Sequence, residues 1–478
     1  MAQAHGDRLS AVDASFLAQE RANSHMHVGA VLIFEGPAPR YEAFLDHIRS
    51  RLHLVPRYRH KLAVPPLETG RPIWVDDRNF NLEYHVRHTA LPHPGSEEQL
   101  RALAARIHSQ RLDRAKPLWE TWLVQGLERG RFALISKTHH ALVDGIAGVD
   151  LMSVLFDVSP IPLPAPHEGE PWMAAREPGA LQLAARGLRG LARLPFELAG
   201  DALAAATHPA ESLDAVKDAL EGVGEVAWAA LNPAPETPLN VPIGPHRRLS
   251  FVRNDLNDFK LVKNALGGTV NDVVLTVVAG GLRTWLRARG VRTEGLELRA
   301  LVPVSVRSKD ERHQLGNRLV VMRGPLPVYV EDPIARLRVV RQAMDGLKES
   351  KQAVGAEVIT GLEALAPPTI LAQASRLQFS TRLFNLLVTN VPGPQVPLYV
   401  LGRELEDLFP VAFLPENQAL AVAIMSYNGR MDFGLLGDYD AVPDIEALAA
   451  ALKDALEELV VAAAPRKKRR PRAPAATR

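Results

Sequence analysis

The chain has 478 residues, 47% of them hydrophobic and 23% charged, with a formal net charge of +2 and no cysteine. That length exceeds what one compact core holds and predicts two domains of globular composition. The lack of cysteine excludes disulfide staples, thiol nucleophiles and thiolate metal sites, and no apolar run approaches the ~20 residues that span a bilayer.

The first eight residues lack the apolar centre of a signal peptide, so the expected location is the cytoplasm. Residues 1–165 read as a first α/β domain. Met26–Glu35 is an apolar strand suited to burial on both faces and is ended by Gly36-Pro37. Tyr41–Leu54 and Glu97–Leu112 carry apolar residues at helical spacing, and Ile73-Trp74-Val75 is a short strand between them. Pro117–Val124 leads into a hairpin with the strand Phe132–Lys137.

That strand runs into His139-His140-Ala141-Leu142-Val143-Asp144-Gly145, followed by the helix-like run Ile146–Leu155. Histidine takes and returns a proton near neutral pH, and a strand end that opens into a loop is a good place to use one. Adjacent residues on extended chain face opposite ways, so one histidine is expected in a cleft and the other packed inward. This argues against a metal held by both; His140 and Asp144 at helical spacing would need a third ligand from far away. Asp144 is either a helix cap or a buried carboxylate with a cationic partner, and Gly145 leaves room for close approach of the backbone.

Residues 166–245 form a Pro/Ala/Leu-rich connector. Pro160–Pro178 reads as a linker, and in Leu181–Leu231 the residues Arg186, Arg189 and Arg193 fall opposite Leu181, Leu188 and Leu191. This is either a helix packed on one domain or one lying in a lipid surface. The second domain, 246–464, returns to an α/β pattern. Asn271-Asp272 opens a helix that either residue can cap, with Val273, Val274, Val277, Val278 and Leu282 on its buried side. Leu298–Val304, Leu315–Gly324 and Phe384–Val391 read as strands, and Ile334–Leu347 as a helix. Asn428-Gly429 joins two strands as a hairpin, and Ile445–Leu459 closes the domain as a helix. The tail 465–478 holds seven cations and no acid, so the rest of the chain carries about −5. It is either a solvated disordered tail or a patch for anionic lipid head groups. No aromatic residues interleave with its charges, which speaks against nucleic acid.

The His139–Gly145 stretch resembles the HHxxxDG signature of the CoA-dependent acyltransferases, which include chloramphenicol acetyltransferase, peptide-synthetase condensation domains and the plant BAHD enzymes. Leu9–Leu17, Pro117-Leu118-Trp119-Glu120, Thr237–Asn240, Asn271-Asp272 and Asn390-Val391-Pro392-Gly393-Pro394 are similar to motifs of the bacterial bifunctional wax ester synthase/diacylglycerol acyltransferase family, in order from about residue 7 to about 460. Asp432-Phe433-Gly434 resembles a BAHD structural motif only in part. The resemblance implies two chloramphenicol-acetyltransferase-like α/β domains, joined by the helical connector, with an active-site tunnel between them. It implies transfer of a long acyl group from acyl-CoA to diacylglycerol or a long-chain alcohol, with acyl-CoA as substrate and no cofactor or metal.

In that chemistry His140 is the general base. It takes the alcohol proton during attack on the thioester carbonyl and passes it to the leaving CoA thiolate. No Gly-x-Ser-x-Gly elbow is present, so direct transfer is favoured over an acyl-enzyme. His139 packs or orients. The resemblance assigns Asp144 to a salt bridge that shapes the loop, with Arg307 as the expected partner. Asn271 is expected to meet the oxyanion, unless it serves only as a cap. Pro117, Leu118 and Trp119 either wall an acyl channel or are ordinary core. Asn390–Pro394 reads as a turn without a chemical role. Alternatives are a condensation-type enzyme using carrier-protein thioesters and a non-catalytic lipid-droplet protein. The expected setting is cytoplasmic, peripheral to a membrane or lipid-droplet surface.

Overall fold

A computed structural model of the chain describes residues 9–66, 70–143, 154–161, 172–185, 233–305, 319–349 and 383–464. The expected mixed α/β architecture is present, among the described residues, as two six-stranded sheets and a two-stranded ribbon. In the first sheet, β1 (His27–Phe34) lies beside β6 (Phe132–His139), followed by β5 (Trp119–Gln125) and β4 (Val86–Ala90). The β1–β6 and β5–β6 pairs are antiparallel, and β4–β5 is parallel. The ribbon pairs β2 (His60–Ala63) with β3 (Ile73–Asp76), and Leu183 from the connector packs on it.

The second sheet has the order β7 (Arg247–Asp255), β14 (Arg430–Asp438), β13 (Leu420–Tyr427), β10 (Leu386–Pro392), β8 (Leu298–Ser305) and β9 (Leu319–Leu326). The expected Asn428-Gly429 hairpin joins β13 to β14, both residues at positive φ, 42° and 80°. Helices α6 (Leu256–Leu266), α7 (Val270–Ala288), α8 (Pro333–Glu349) and α9 (Ile445–Ala463) accompany this sheet, with α7 packed on α8 and α9.

Chain order and sheet membership part at two strands. β11 (Tyr399–Val400) and β12 (Arg403–Val411) come from the second half but complete the first sheet, with β12 antiparallel to β1. The two halves are therefore stitched by hydrogen bonds. Strand alternation does the rest. Val31, Ile33, Ala133, Ile135, Phe409 and Val411 join a core shared with the second sheet, while Leu32, Phe34, Phe132, Leu134, Leu405 and Leu408 face a separate core. The helix α4 (Glu97–Ser109) starts with a Ser96/Gln99 capping box and packs against β7, where Glu97 pairs with Arg253 at 2.7 Å.

Asp432 of β14 is fully buried where β14 meets β12. Its Oδ2 accepts the Leu408 N–H at 3.3 Å. Burial and the neighbouring Asp407 carboxylate push its pKa up to about 7. Unfolded, this carboxyl loses its proton near 3.8, so the folded state loses stability as pH rises between 3.8 and about 7. Asp432→Asn cannot ionise and should flatten that decline, by on the order of a few kcal/mol at pH 8 relative to pH 4. Melts of both proteins at pH 4, 6 and 8 check this; parallel curves would mean that Asp432 ionises without cost.

Candidate active site

β6 is buried along its whole length. On its α4 side, Lys137 is 1% exposed and its Nζ donates to the carbonyls of Ile107 at 2.8 Å and Gln110 at 3.0 Å, with Glu120 at 2.6 Å as counter-ion. A buried lysine needs such a full set of acceptors. His139, two residues on and so on the same side, is also 1% exposed. Burial lowers its pKa to about 3, against the opposing pull of Glu20, so the ring is neutral at ordinary pH. The Leu118 carbonyl accepts the His139 backbone N–H at 2.9 Å and the Met26 carbonyl accepts that of His140 at 2.7 Å, which carries the strand pairing to the end of the motif.

The two histidines diverge as expected. His140 opens the one-turn helix α5 (His140–Val143) and is only half-buried. Phe16 of α1 (Ala11–Gln19) stacks on its ring at 3.9 Å and 24°, and Phe413 meets it edge-on at 5.9 Å. Phe413 follows β12 on the stretch that crosses from the first sheet to the second. His140 therefore sits at the seam between the halves. Ser10 caps α1 by accepting the Asp13 N–H at 3.0 Å, which fixes the helix that carries Phe16.

Asn271 lies on the other half. The expectation that Asn271 or Asp272 caps its helix is corrected by the geometry. The cap of α7 is Thr269, placed by a turn through Gly267 and Gly268 at φ 85° and 92°. Asp272 is its reciprocal partner, with Oδ2 accepting the Thr269 N–H at 2.7 Å. The Asn271 side chain is left out of the capping and receives Asn390 Nδ2 at 3.5 Å. Asn390–Pro394 thus has a visible physical setting. β10 runs parallel to β13 here, and a Cβ on Gly393 would meet the Ser426 carbonyl at 2.3 Å.

Pro117, Leu118 and Trp119 are buried. Trp119 stacks on His85 at 4.7 Å and its Nε1 donates to the Tyr58 carbonyl at 2.7 Å. Asp144, Gly145 and Arg307, with the expected Asp144–Arg307 pair, lie outside the described residues, as do Arg186, Arg189, Arg193 and the tail. The chain beyond the motif is described again from 154. Arg51 holds Asp157 there at 2.8 Å, Asp157 bridges to Tyr399, and His47 Nε2 donates to the Leu155 carbonyl at 2.8 Å.

Sequence reasoning did not single out Glu20, His27, Phe413, Arg111 or Arg114. Glu20 is a buried acid bonded to Arg111 Nε at 3.3 Å and Arg114 Nε at 2.7 Å, some ninety residues away. No local pattern marks such a partnership.

Residues 9–274 match the wax ester synthase/diacylglycerol acyltransferase catalytic domain, and residues 315–460 match the C-terminal domain of the same family. A probable diacylglycerol O-acyltransferase of Mycobacterium tuberculosis is 35% identical over 467 residues, 96% of this chain and 97% of that protein. A putative diacylglycerol O-acyltransferase of Mycobacterium bovis is 33% identical over 469 residues, 95% of this chain and 98% of its own. Among solved structures, the wax ester synthase/diacylglycerol acyltransferase from Marinobacter aquaeolei VT8 superposes with a TM-score of 0.68 at 28% identity, covering 95% of this chain and 99% of that one. The starter condensation domain of rhizomide synthetase shares the fold alone, at 13% identity and a TM-score of 0.56 over 95% of this chain and 94% of its own. With both halves matched in order and the paired histidines at the seam, the chain belongs to the wax ester synthase/diacylglycerol acyltransferase family.

Proposed function

We propose that this protein transfers a long-chain acyl group from acyl-CoA to the hydroxyl of diacylglycerol or a long-chain alcohol, giving triacylglycerol or a wax ester. The observation that carries the proposal is the contrast between the two histidines: one sealed and neutral, the other half-buried at the seam between the sheets. An alcohol becomes a competent nucleophile when a base takes its proton in the transition state. His140 is placed for that task. Phe16 and Phe413 hold its ring and give it apolar company suited to an acyl chain. The proton then goes to the departing CoA sulfur, so the base is restored each turnover. This scheme uses acyl-CoA as substrate and calls for no cofactor.

Asn271 supplies the oxyanion donor in this scheme. Asn390 occupies its Oδ1, which leaves its Nδ2 as the group that donates to a developing negative oxygen. Removing one such donor costs roughly 10²- to 10³-fold in kcat. Asn271→Ala should therefore lose activity on that scale with its melting temperature nearly unchanged, because Thr269 and Asp272 cap the helix without it. Asp272→Ala should do the reverse and lose about 1 kcal/mol of stability. Steady-state kinetics and thermal melts of both variants separate the roles. An active Asn271→Ala protein would remove Asn271 from the chemistry.

The whole proposal is tested by release of free CoA thiol from palmitoyl-CoA, with hexadecanol or dipalmitoylglycerol as acceptor. Turnover that needs neither acceptor, or none at all with both, would overturn it. The chain itself adds no thiol background. The same substrates suggest work at a lipid surface. Val158, Ile161, Met173 and Leu181 are 69–87% exposed near the connector, and the tail concentrates cations. Among the described residues no single helix is long and apolar enough to cross a membrane. Peripheral binding to anionic membrane or lipid-droplet surfaces is the setting we assign. Deleting 466–478 should weaken sedimentation with phosphatidylserine vesicles, and salt should weaken it in the intact chain.

A further inference from the structure

α1 reaches both histidines. Phe16 lies over the His140 ring, and Glu20, which closes the helix, sets a carboxylate beside His139. The Glu20 side chain is 1% exposed. A lone carboxylate at that depth is strongly unfavourable unless cations and donors meet it. Arg111 Nε and Arg114 Nε do so, at 3.3 and 2.7 Å. Burial alone would raise the Glu20 pKa, but the surrounding positive charge, Arg114 foremost, outweighs it and holds the group below the usual value, as an anion.

Two imidazoles face this anion: His139 Nε2 at 3.9 Å from Oε2 and His27 Nε2 at 4.0 Å from Oε1. At that range the attraction is electrostatic rather than a formed hydrogen bond. It still selects a tautomer. The Nδ1 of His139 accepts the Ala141 N–H at 3.1 Å, so the single hydrogen of the neutral ring belongs on Nε2, aimed at Glu20. Ala141 follows His140 directly. The peptide that Nδ1 holds is the one between His140 and Ala141.

We propose that Glu20 is a positioning residue for acyl transfer: its carboxylate holds His139 in the Nε2–H form, which secures the Ala141 N–H to Nδ1 and so aims the His140 ring. This inference rests on His140 being the base. Removing the charge frees His139 to place its hydrogen on Nδ1. That form cannot accept from Ala141, and the turn carrying His140 loosens. A misplacement of about 1 Å at a reacting group costs on the order of 10²-fold.

Glu20→Gln keeps the shape and removes the charge. The expected result is a kcat lowered about 10- to 100-fold with the KM for palmitoyl-CoA within about twofold, and partial recovery in Glu20→Asp. In a His139→Gln background, Glu20→Gln should cost nothing further, because the coupling has already been removed. In the wild type, ¹⁵N-histidine NMR, with the His139 signal identified by its loss in His139→Gln, should show the Nε2–H tautomer. Wild-type kcat in Glu20→Gln, losses that multiply in the double variant, or an Nδ1–H tautomer in the wild type would each overturn the proposal. If Glu20→Gln fails to fold, the wild-type tautomer and the Glu20→Asp kinetics decide. An active His140→Ala protein would sink the functional assignment itself. An inactive one beside an unaffected Glu20→Gln protein would sink only the role of Glu20.

Discussion

His140→Ala is expected to lower kcat for acyl transfer by roughly 10²- to 10⁴-fold, the range for loss of a positioned general base. The change should leave the fold intact. The imidazole is half-buried, its backbone N–H bond to Met26 survives the substitution, and Phe16 keeps its edge contact with Phe413 at 6.2 Å. The KM for acyl-CoA should move little, since in the proposed scheme the ring acts when the hydroxyl attacks and not when the thioester binds. His139→Ala is a different experiment. It empties a site 1% exposed and leaves the Glu20 anion facing vacated space, so its first effect should be on stability. The comparison separates chemistry from architecture. If His140→Ala turns over at the wild-type rate, another group takes the proton and the functional assignment falls. If both variants merely unfold, far-UV circular dichroism reports it before any rate is compared.

The parts of this site that were legible in the sequence are local ones. The strand ending at His139 is marked by its turn and apolar run, and the opposite facing of two adjacent histidines follows from the pleat. The Asn428-Gly429 hairpin follows from the φ values that its turn demands. What was not legible depends on distant partners. Asn271 looked like a cap because the capping pair straddles it: Thr269 and Asp272 bond around it and leave its amide for Asn390. β12 escaped because its pattern is broken. Arg403-Glu404-Leu405-Glu406-Asp407 alternates poorly, the register with β1 slips between Ile33 and Phe34, and Pro410 interrupts the run. Yet β12 decides where the site is. It carries the second half of the chain into the first sheet and ends two residues before Phe413, which touches His140.

Gly434→Ala tests that seam and should be among the most damaging single substitutions in the described chain. Gly434 lies on β14 of the second sheet, and a Cβ there would sit 1.9 Å from the carbonyl oxygen of Pro410 on β12 of the first. No side-chain rotation relieves a contact with backbone. Nor can β12 retreat, because it is hydrogen-bonded to β1, and Phe409 beside it stacks on Phe251 at 4.1 Å and 5°. The sheets must part, which opens a packed apolar contact and costs more than about 4 kcal/mol. Gly429→Ala is the control. Its φ of 80° makes alanine uncomfortable, but nothing lies within 4 Å of the new methyl group, so only about 1 kcal/mol should be lost. Denaturant titration of the two proteins measures the difference; equal costs would mean that the sheets yield freely at this point. Whatever fraction of Gly434→Ala folds should also turn over slowly, because displacing β12 drags Phe413 with it and leaves the His140 ring held by Phe16 alone. The glycine of Asp432-Phe433-Gly434 thus has a role the motif could not disclose. It is the residue whose missing side chain lets a strand of one sheet lie against a strand of the other, and His140 stands at the line where they meet.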